Sequence, residues 1–379
     1  MSSALPSSPV ASGDHPPSGG NPLLWGLAVA ALVLAWWRPV SPSEWLALID
    51  WQTMGALTGL LVITQGVERS GVLQGAARAL LARTSTARQL ALVLCGVAAV
   101  LAALVTNDVS LFLLVPLTRE LAAQAQLPLA RLVALEALAV NAGSSLTPIG
   151  NPQNLYLWHR SGESFGGFMA MMGPAVGVML ALLLVTILIT MPGTPIRVAP
   201  PQERAPTQPR LLALSGVLFI GFVAALELHV WAPALVAVLV VYALFYRRVL
   251  MRLDWALLAT FALMFVVVHQ LVALPWVAGL MSQLPMDQPL QAYLVAIATS
   301  QVISNVPATL LLADGTQPLA AFAALAVGVN VGGYGFVLGS MANLIALRLA
   351  REPHGLREFH RISLPFLAVC VVLVAFLVR

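Results

Sequence analysis

Long apolar runs separated by short polar or proline-bearing interruptions recur from residue 22 to the end of the chain. Runs reaching the roughly 17 to 25 residues that a membrane-crossing helix needs cover 22–38, 51–67, 129–158, 168–191, 210–227, 230–246, 254–271, 318–347 and 362–378. Two further apolar stretches are divided near their middles, 89–122 by Thr106-Asn107-Asp108 and 290–313 by Ser304-Asn305-Val306-Pro307. At about 1.5 Å per residue the second is too short to cross twice, so it is expected to enter and return as a helical hairpin. By repeat logic the first should do the same. The pattern predicts an all-α polytopic membrane protein with about nine transmembrane helices, two re-entrant hairpins and two broken helices.

The broken helices carry the most regular motif in the chain. NAGSSLTPIGNPQN from Asn141 and NVGGYGFVLGSMAN from Asn330 both read N-x-G-x6-G-[NS]-x2-N, at an offset of 189. Thr106-Asn107 matches Ser304-Asn305 at an offset of 198, and Asp50-Trp51 matches Asp254-Trp255 at 204. The chain is therefore expected to be an internal duplication. The expected crossings place the matching elements in opposite directions, which makes the repeat inverted. The expected division is a disordered tail over 1–21, a first half over 22–191, a cytoplasmic loop and linking helix over 192–229 with Pro200, Pro201, Pro206 and Pro209, and a second half over 230–379.

Composition agrees: 59% of the 379 residues are hydrophobic and 9% charged, more apolar surface than one soluble core could hide. The 19 basic residues are all arginine, and they lie between apolar runs instead of forming one patch, so nucleic-acid binding is not expected. With the N-terminus cytoplasmic, only Arg38, Arg160 and Arg379 fall outside, as the positive-inside rule requires. The tail lacks the basic start of a signal peptide. Cys95 and Cys370 both sit in apolar segments, so neither a disulfide framework nor a metal site is expected from them.

A polar residue at membrane depth is costly, so Asn107 and Asn305 at matching tips read as ligand-binding groups, or else as caps of the turn. Asparagine side chains and freed carbonyls can coordinate a cation, while the N-terminal ends of the second hairpin arms offer N–H groups to an anion. Gly143, Gly150, Gly332 and Gly339 permit backbone that a helix forbids, and Ser144, Ser145, Thr147, Asn151, Asn154, Ser340 and Asn343 supply hydroxyl and amide ligands, with close helix packing as the alternative. Asp108 is the acid at the tips, its counterpart being Val306, and reads as the residue that carries a proton or balances a cation, or as an N-cap. Glu136 and His269, the latter opposite Gln65 by repeat position, are either part of a proton path or satisfied buried polar groups. Asp50 and Asp254 head their spans as caps, and Glu227 and Asp314 fall at span ends.

TPIGNPQN from Thr147 resembles the T-P-I-G-x-P-x-N signature of the ion transporter superfamily, which includes citrate and divalent-anion symporters, sodium/proton antiporters and arsenite permeases; the tips resemble its Ser-Asn-Thr motifs. The resemblance runs from about residue 50 to the C-terminus. It implies a scaffold, a mobile transport subdomain with elevator-like movement, an inner or plasma membrane location and a homodimer. Carried over, Thr106, Asn107, Asn141 and the loop from Gly143 would form one cation site, and Ser304, Asn305, Asn330 and the loop from Gly332 its pseudo-symmetric partner. Asp108 and Val306 depart from the sodium-coupled dicarboxylate pattern and look closer to the citrate-metal, arsenite and antiporter branches.

The expected function is secondary active transport of a small carboxylate or oxyanion, coupled to sodium or protons and without another cofactor; the alternative is a sodium/proton antiporter or an arsenite-type efflux permease. A channel is disfavoured because Gly333-Tyr334-Gly335 matches Ser144-Ser145-Leu146, which has no filter character. An enzyme is disfavoured because no nucleophile has a base in register.

Overall fold

The computed structural model describes residues 22–37, 41–196, 207–228, 230–251, 253, 255–284, 286–313 and 319–378. The expected tail over 1–21, Pro200, Pro201, Pro206, Asp254 and Asp314 lie outside the described residues, as does the Glu227 side chain.

The described residues form helices and connecting turns. In chain order these are α1 (Pro22–Trp37), α2 (Pro42–Ala47), α3 (Trp51–Arg69), α4 (Val72–Leu81), α5 (Ala87–Leu104), α6 (Asn107–Ala125), α7 (Leu129–Ser144), α8 (Pro152–Ser161) and α9 (Phe165–Thr190). Then come α10 (Pro209–Glu227), α11 (Trp231–Phe245), α12 (Arg247–Leu250), α13 (Trp255–Val272), α14 (Pro275–Ser282), α15 (Pro289–Ile303), α16 (Asn305–Leu312), α17 (Leu319–Val331), α18 (Met341–Ala350) and α19 (Gly355–Ala375). Short polar residues start many of them by accepting an otherwise orphaned N–H. Asp50 takes Thr53 N–H at 3.1 Å, Thr86 takes Gln89 N–H at 3.2 Å and Ser164 takes Gly167 N–H at 3.0 Å.

Four described helices are long and apolar enough to cross a bilayer: Ala87–Leu104, Phe165–Thr190, Pro209–Leu226 and Gly355–Ala375. The chain is a polytopic membrane protein, all-helical among the described residues. The apolar runs 129–158 and 318–347 each resolve into two helices, α7 with α8 and α17 with α18. The last helix starts at Gly355, ahead of the apolar run at 362, because Phe359, Ile362, Phe366, Cys370 and Val374 form one buried stripe; Arg357, Glu358 and Arg361 masked its first turns in the sequence. Glu358 is held by Arg131 at 2.8 Å. The first arm of the 89–122 hairpin, α5, is itself 18 residues long, so length does not separate re-entry from crossing there. The second hairpin is shorter, with arms of 15 and 8 residues.

Two packing groups emerge. In the first, α3 lies against α10, α11 and α13, and α1 against α13. An added Cβ at Gly55 or Gly59 would collide with the Trp231 or Phe222 ring, so this small-x-x-x-small face is what lets α10 and α11 approach. In the second, α5 packs on α7, α15 on α17, α18 on both α6 and α7, α8 on both α16 and α17, and α19 on α7 and α9. Helix α6 also meets α3 and α4. Cys95 and Cys370 are buried and unbridged.

The α5–α7 contact is close enough to test. A Cβ on Gly143 would fall 2.0 Å from the Ala99 carbonyl oxygen, backbone that cannot step aside, whereas one on Gly96 of the same α5 meets nothing within 4 Å. Gly143→Ala is expected to lower unfolding free energy by about 1–3 kcal/mol, and Gly96→Ala to leave it unchanged or slightly raised. Unfolding of the two variants in matched detergent checks this.

Candidate functional site

The first hairpin tip is tied to the first glycine loop. Thr106 is extended (φ −149, ψ 161) and caps α6, its hydroxyl oxygen accepting from Val109 N–H at 3.2 Å. Asn107 is 5% exposed; its N–H donates to the Gly150 carbonyl at 2.9 Å, and its Oδ1 accepts from Asp108 N–H at 2.8 Å. The Thr147 hydroxyl donates to the Ala103 carbonyl at 2.7 Å. Asp108 follows on the same turn with Oδ1 sealed from solvent and without a hydrogen-bond partner. Such an oxygen holds acceptor capacity that a proton or a cation would satisfy.

The second tip is built differently. Ser304 has φ 71 and ψ 155, a region essentially reserved for glycine, and a residue held there costs about 1–3 kcal/mol. The turn removes its hydroxyl from the capping position, so α16 starts without a side-chain cap. Ser304 and Asn305 are both buried.

Between the tips, buried amides cross from one motif to the other. Asn141 Nδ2 donates to Asn343 Oδ1 at 2.9 Å, and Asn330 Nδ2 donates to Asn154 Oδ1 at 2.7 Å. Each donor also bonds the carbonyl four residues back, Ala137 for Asn141 and Ala326 for Asn330. Asn154 Nδ2 reaches Ser144 O, and Asn343 Nδ2 reaches Gly333 O, positions again 189 apart. Ser145 Oγ (3.0 Å) and Asn151 Nδ2 (3.1 Å) donate to Asn330 Oδ1, and Ser144 Oγ donates to Asn141 O at 3.3 Å. A Cβ on Gly333 would stand 3.3 Å from Asn141 Oδ1 and 3.4 Å from Asn305 Nδ2, so the second tip faces this cluster too.

The glycine loops end in contrasting ways. Asn151 caps α8 by accepting from Asn154 N–H at 2.8 Å, while its counterpart Ser340 makes no side-chain cap on α18. The first half thus closes both helix starts, at α6 and α8, with side-chain oxygens; the second leaves α16 and α18 without them. Around the first loop, Asn154 Nδ2 stands 3.1–3.2 Å from the carbonyls of Ser144, Ser145 and Thr147, with Asn151 Nδ2 also donating to Ser144 O at 3.2 Å and Gly150 N–H to Thr147 O at 3.3 Å. The Gly143 carbonyl accepts from Leu146 N–H. Around the second loop, the Gly332 carbonyl is taken by a side chain outside the motif, Gln301.

Of the remaining candidates, Glu136 is fully buried on α7, with Oε1 accepting from the Thr118 hydroxyl of α6 and Oε2 unpartnered. His269 is exposed and pairs through Nδ1 with Phe265 O, and Gln65 contacts Glu68; neither bond reaches the cluster. Tyr334 is buried against Phe366 with ring centroids 4.7 Å apart, core packing instead of a filter lining. Three supporting residues fall outside both motifs and were not expected from the sequence: Gln301 on α15, and Ser363 and His360 on α19, which accept from Gly335 N–H at 2.7 Å and Val337 N–H at 3.1 Å. Gln301 had a signal, a long amide in an apolar arm three residues before a tip; the other two had none.

The profile of the citrate transporter family matches residues 21–321, which spans both hairpins and the first motif. The chain belongs to the citrate transporter family. Over 90% of its length it is 42% identical to an inner membrane protein of Escherichia coli, YbiR, covering 91% of that protein. It is 30% identical over 82% of its length to an uncharacterized transporter of Methanocaldococcus jannaschii, covering 84% of that protein. A shorter match, 33% identical over 40% of the chain and 31% of the relative, is to the silicon efflux transporter LSI3 of Oryza sativa. This protein is accordingly an integral membrane transporter and not an enzyme.

Proposed function

We propose that the protein is a secondary active carrier of a small anion, a carboxylate or an oxyacid, coupled to protons or sodium through the first half of its site. The observation that carries this reading is the reciprocal pairing of Asn141 with Asn343 and Asn330 with Asn154, which joins two like motifs at a buried centre reached by both hairpin tips. Bonds that repeat at one offset support an inverted repeat. In that architecture α5–α6 and α15–α16 are re-entrant hairpins, and α7–α8 and α17–α18 are broken helices. The halves spanning 22–191 and 230–379 are joined through the loop and linking helix over 192–229.

The asymmetry divides the labour. Asp108, with its unpartnered oxygen at the first tip, suits a proton or a hard cation. The starts of α16 and α18, without side-chain caps and beside Asn305 and Asn343, suit an anion held by N–H groups and helix dipoles. No arginine or histidine side chain bonds to the amide cluster among the described residues, which favours an anion of low charge over a fully ionised tricarboxylate. A relative named for silicon efflux fits a weak oxyacid as substrate.

Alternating access would move the second packing group, with the site, past α3, α10, α11 and α13 in an elevator-like step. The Glu68–Arg119 pair, at 3.3 Å between α3 and α6, crosses that boundary and would have to open. A homodimer in the cell inner membrane, N-terminus cytoplasmic, completes the reading.

Thermal unfolding of purified protein against citrate, dicarboxylates, sulfate, arsenite and silicate, each with and without sodium and at two pH values, is the test, because a ligand that binds only the folded state must stabilise it. A shift by one anion that depends on sodium or acid, and is lost in Asn305→Ala, is expected. The reading is wrong if no anion stabilises the protein while sodium drives proton release, the behaviour of a sodium/proton antiporter.

A further inference from the structure

Loop 332–336 is held by a side chain that belongs to neither asparagine motif. Gln301 Nε2 donates to the carbonyls of Gly332 at 2.6 Å and Tyr334 at 3.0 Å, while its Oε1 accepts from Phe336 N–H at 2.9 Å. The loop is shaped around this amide. Gly335 has φ +90, and a Cβ there would lie 2.5 Å from Gln301 Oε1; one at Gly339 would lie 3.3 Å from Nε2. Both hydrogens of the amide are therefore spent on two inward-turned carbonyls, and its oxygen closes the ring through the next free N–H.

The first half has no such device. At the hairpin-tip offset of 198, Gln301 corresponds to Ala103, which contributes only its backbone carbonyl to Thr147. The first loop is served from within its own motif, Ser144 O by Asn151 and Asn154 Nδ2, Ser145 O by Asn154 Nδ2 and Thr147 O by Asn154 Nδ2 and Gly150 N–H. The unpartnered oxygen of the first half lies instead on the Asp108 carboxylate; in the second half Val306 replaces that acid, and the Gly332 and Tyr334 carbonyls depend on Gln301 at 2.6 and 3.0 Å. Carbonyls converging on one point form a cation cage unless something positive already fills it. In the second half the δ+ end of a side-chain amide does so, tethered to α15 and independent of any ion gradient.

We propose that Gln301 is a built-in occupant of the second half of the site, standing where the Gly332 and Tyr334 carbonyls would otherwise hold a monovalent cation, so that any ion coupling is confined to the first half, at Asp108. This rests on reading the two motifs as matching halves of one carrier site. The consequence is one coupling ion or proton per cycle at the duplicated loops instead of two. Residue 301 is then the position that sets this number.

The test is sodium-dependent stability, which does not require a known substrate. Thermal unfolding is measured in sodium chloride and in choline chloride at equal ionic strength for wild type, Asp108→Asn, Asp108→Asn with Gln301→Ala, and Asp108→Asn with Gln301→Glu. Asp108→Asn alone is expected to show no sodium response. Adding Gln301→Ala should lower the midpoint by several degrees in choline and create a sodium response that recovers part of the loss. Gln301→Glu keeps the shape but sets a carboxylate against two carbonyls, and should depend on sodium more strongly still; it also serves if the alanine variant does not fold. The proposal falls if neither Gln301 variant gains a sodium response, or if Asp108→Asn alone retains the full wild-type response, since an ion would then be binding with Gln301 in place. A wild type indifferent to sodium, together with a responsive Gln301 variant, upholds the proposal while removing sodium from the proposed transport cycle.

Discussion

Asp108→Asn is expected to uncouple the carrier: proteoliposomes exchange the anion identified by the stability panel, but gradient-driven accumulation falls by about tenfold to a hundredfold. The size follows from the interaction removed. A bond between an ionised group and its partner is worth about 1.5–3 kcal/mol, and each 1.36 kcal/mol is about a factor of ten in rate or equilibrium. Asparagine keeps the shape of the side chain and an acceptor at Oδ1, so Asn107, whose Oδ1 bonds Asp108 N–H, is undisturbed. What is lost is the capacity to take up a proton or balance a cation at an oxygen that no protein donor reaches. Anion exchange at equal concentrations needs no net coupling and should survive, because the proposed anion contacts lie at α16 and α18. A purely structural Asp108 would lose exchange and accumulation together, and an Asp108→Asn variant that accumulates like wild type would remove it from the mechanism.

Legibility in the sequence followed spacing. The motif N-x-G-x6-G-[NS]-x2-N singles out Asn141, Asn154, Asn330 and Asn343, because a bonded framework built twice from like loops leaves the same spacing in both halves of the chain. The cross-pairing was not legible: that Asn141 meets Asn343 and not its own-loop partner Asn154 depends on how α18 packs on α7. Functional asymmetry was half visible. Asp108 against Val306 could be read directly, whereas the loss of capping at Ser304 comes from a backbone angle, and the Gln301 bonds come from a side chain outside the repeat. Apolar runs located α9 and α10 but misplaced the start of α19, where Glu358 is neutralised by Arg131 from a distant helix. An ion pair of that kind has no signature along one chain.

Asn330 makes three of the bonds that cross between the two motifs, more than any other residue of the cluster, so its removal should have the largest effect on stability. Its Nδ2 serves Asn154 Oδ1 and Ala326 O, and its Oδ1 receives Ser145 Oγ and Asn151 Nδ2, all within the buried centre. Ser145 and Asn151 keep other acceptors, Asn141 O and Ser144, but Asn154 Oδ1 loses the side-chain donor that crosses from the second motif. Leaving buried groups unsatisfied costs about 1–3 kcal/mol each, so Asn330→Ala is expected to lower unfolding free energy by about 2–4 kcal/mol. Asn330→Asp should be no better, because it sets a carboxylate oxygen against Asn154 Oδ1, and Asn154 cannot turn over without giving up its bonds to Ser144, Ser145 and Thr147. Double-mutant cycles separate pairing from general damage. The pairs Asn330/Asn154 and Asn141/Asn343 should each show coupling of about 0.5–3 kcal/mol, the range for residues in direct contact. The non-paired combination Asn141/Asn154 should show a smaller value than either. Coupling confined to one pair would mean that only one half of the cluster is held by its partner, and the reciprocal arrangement on which the two-fold site depends would have to be given up.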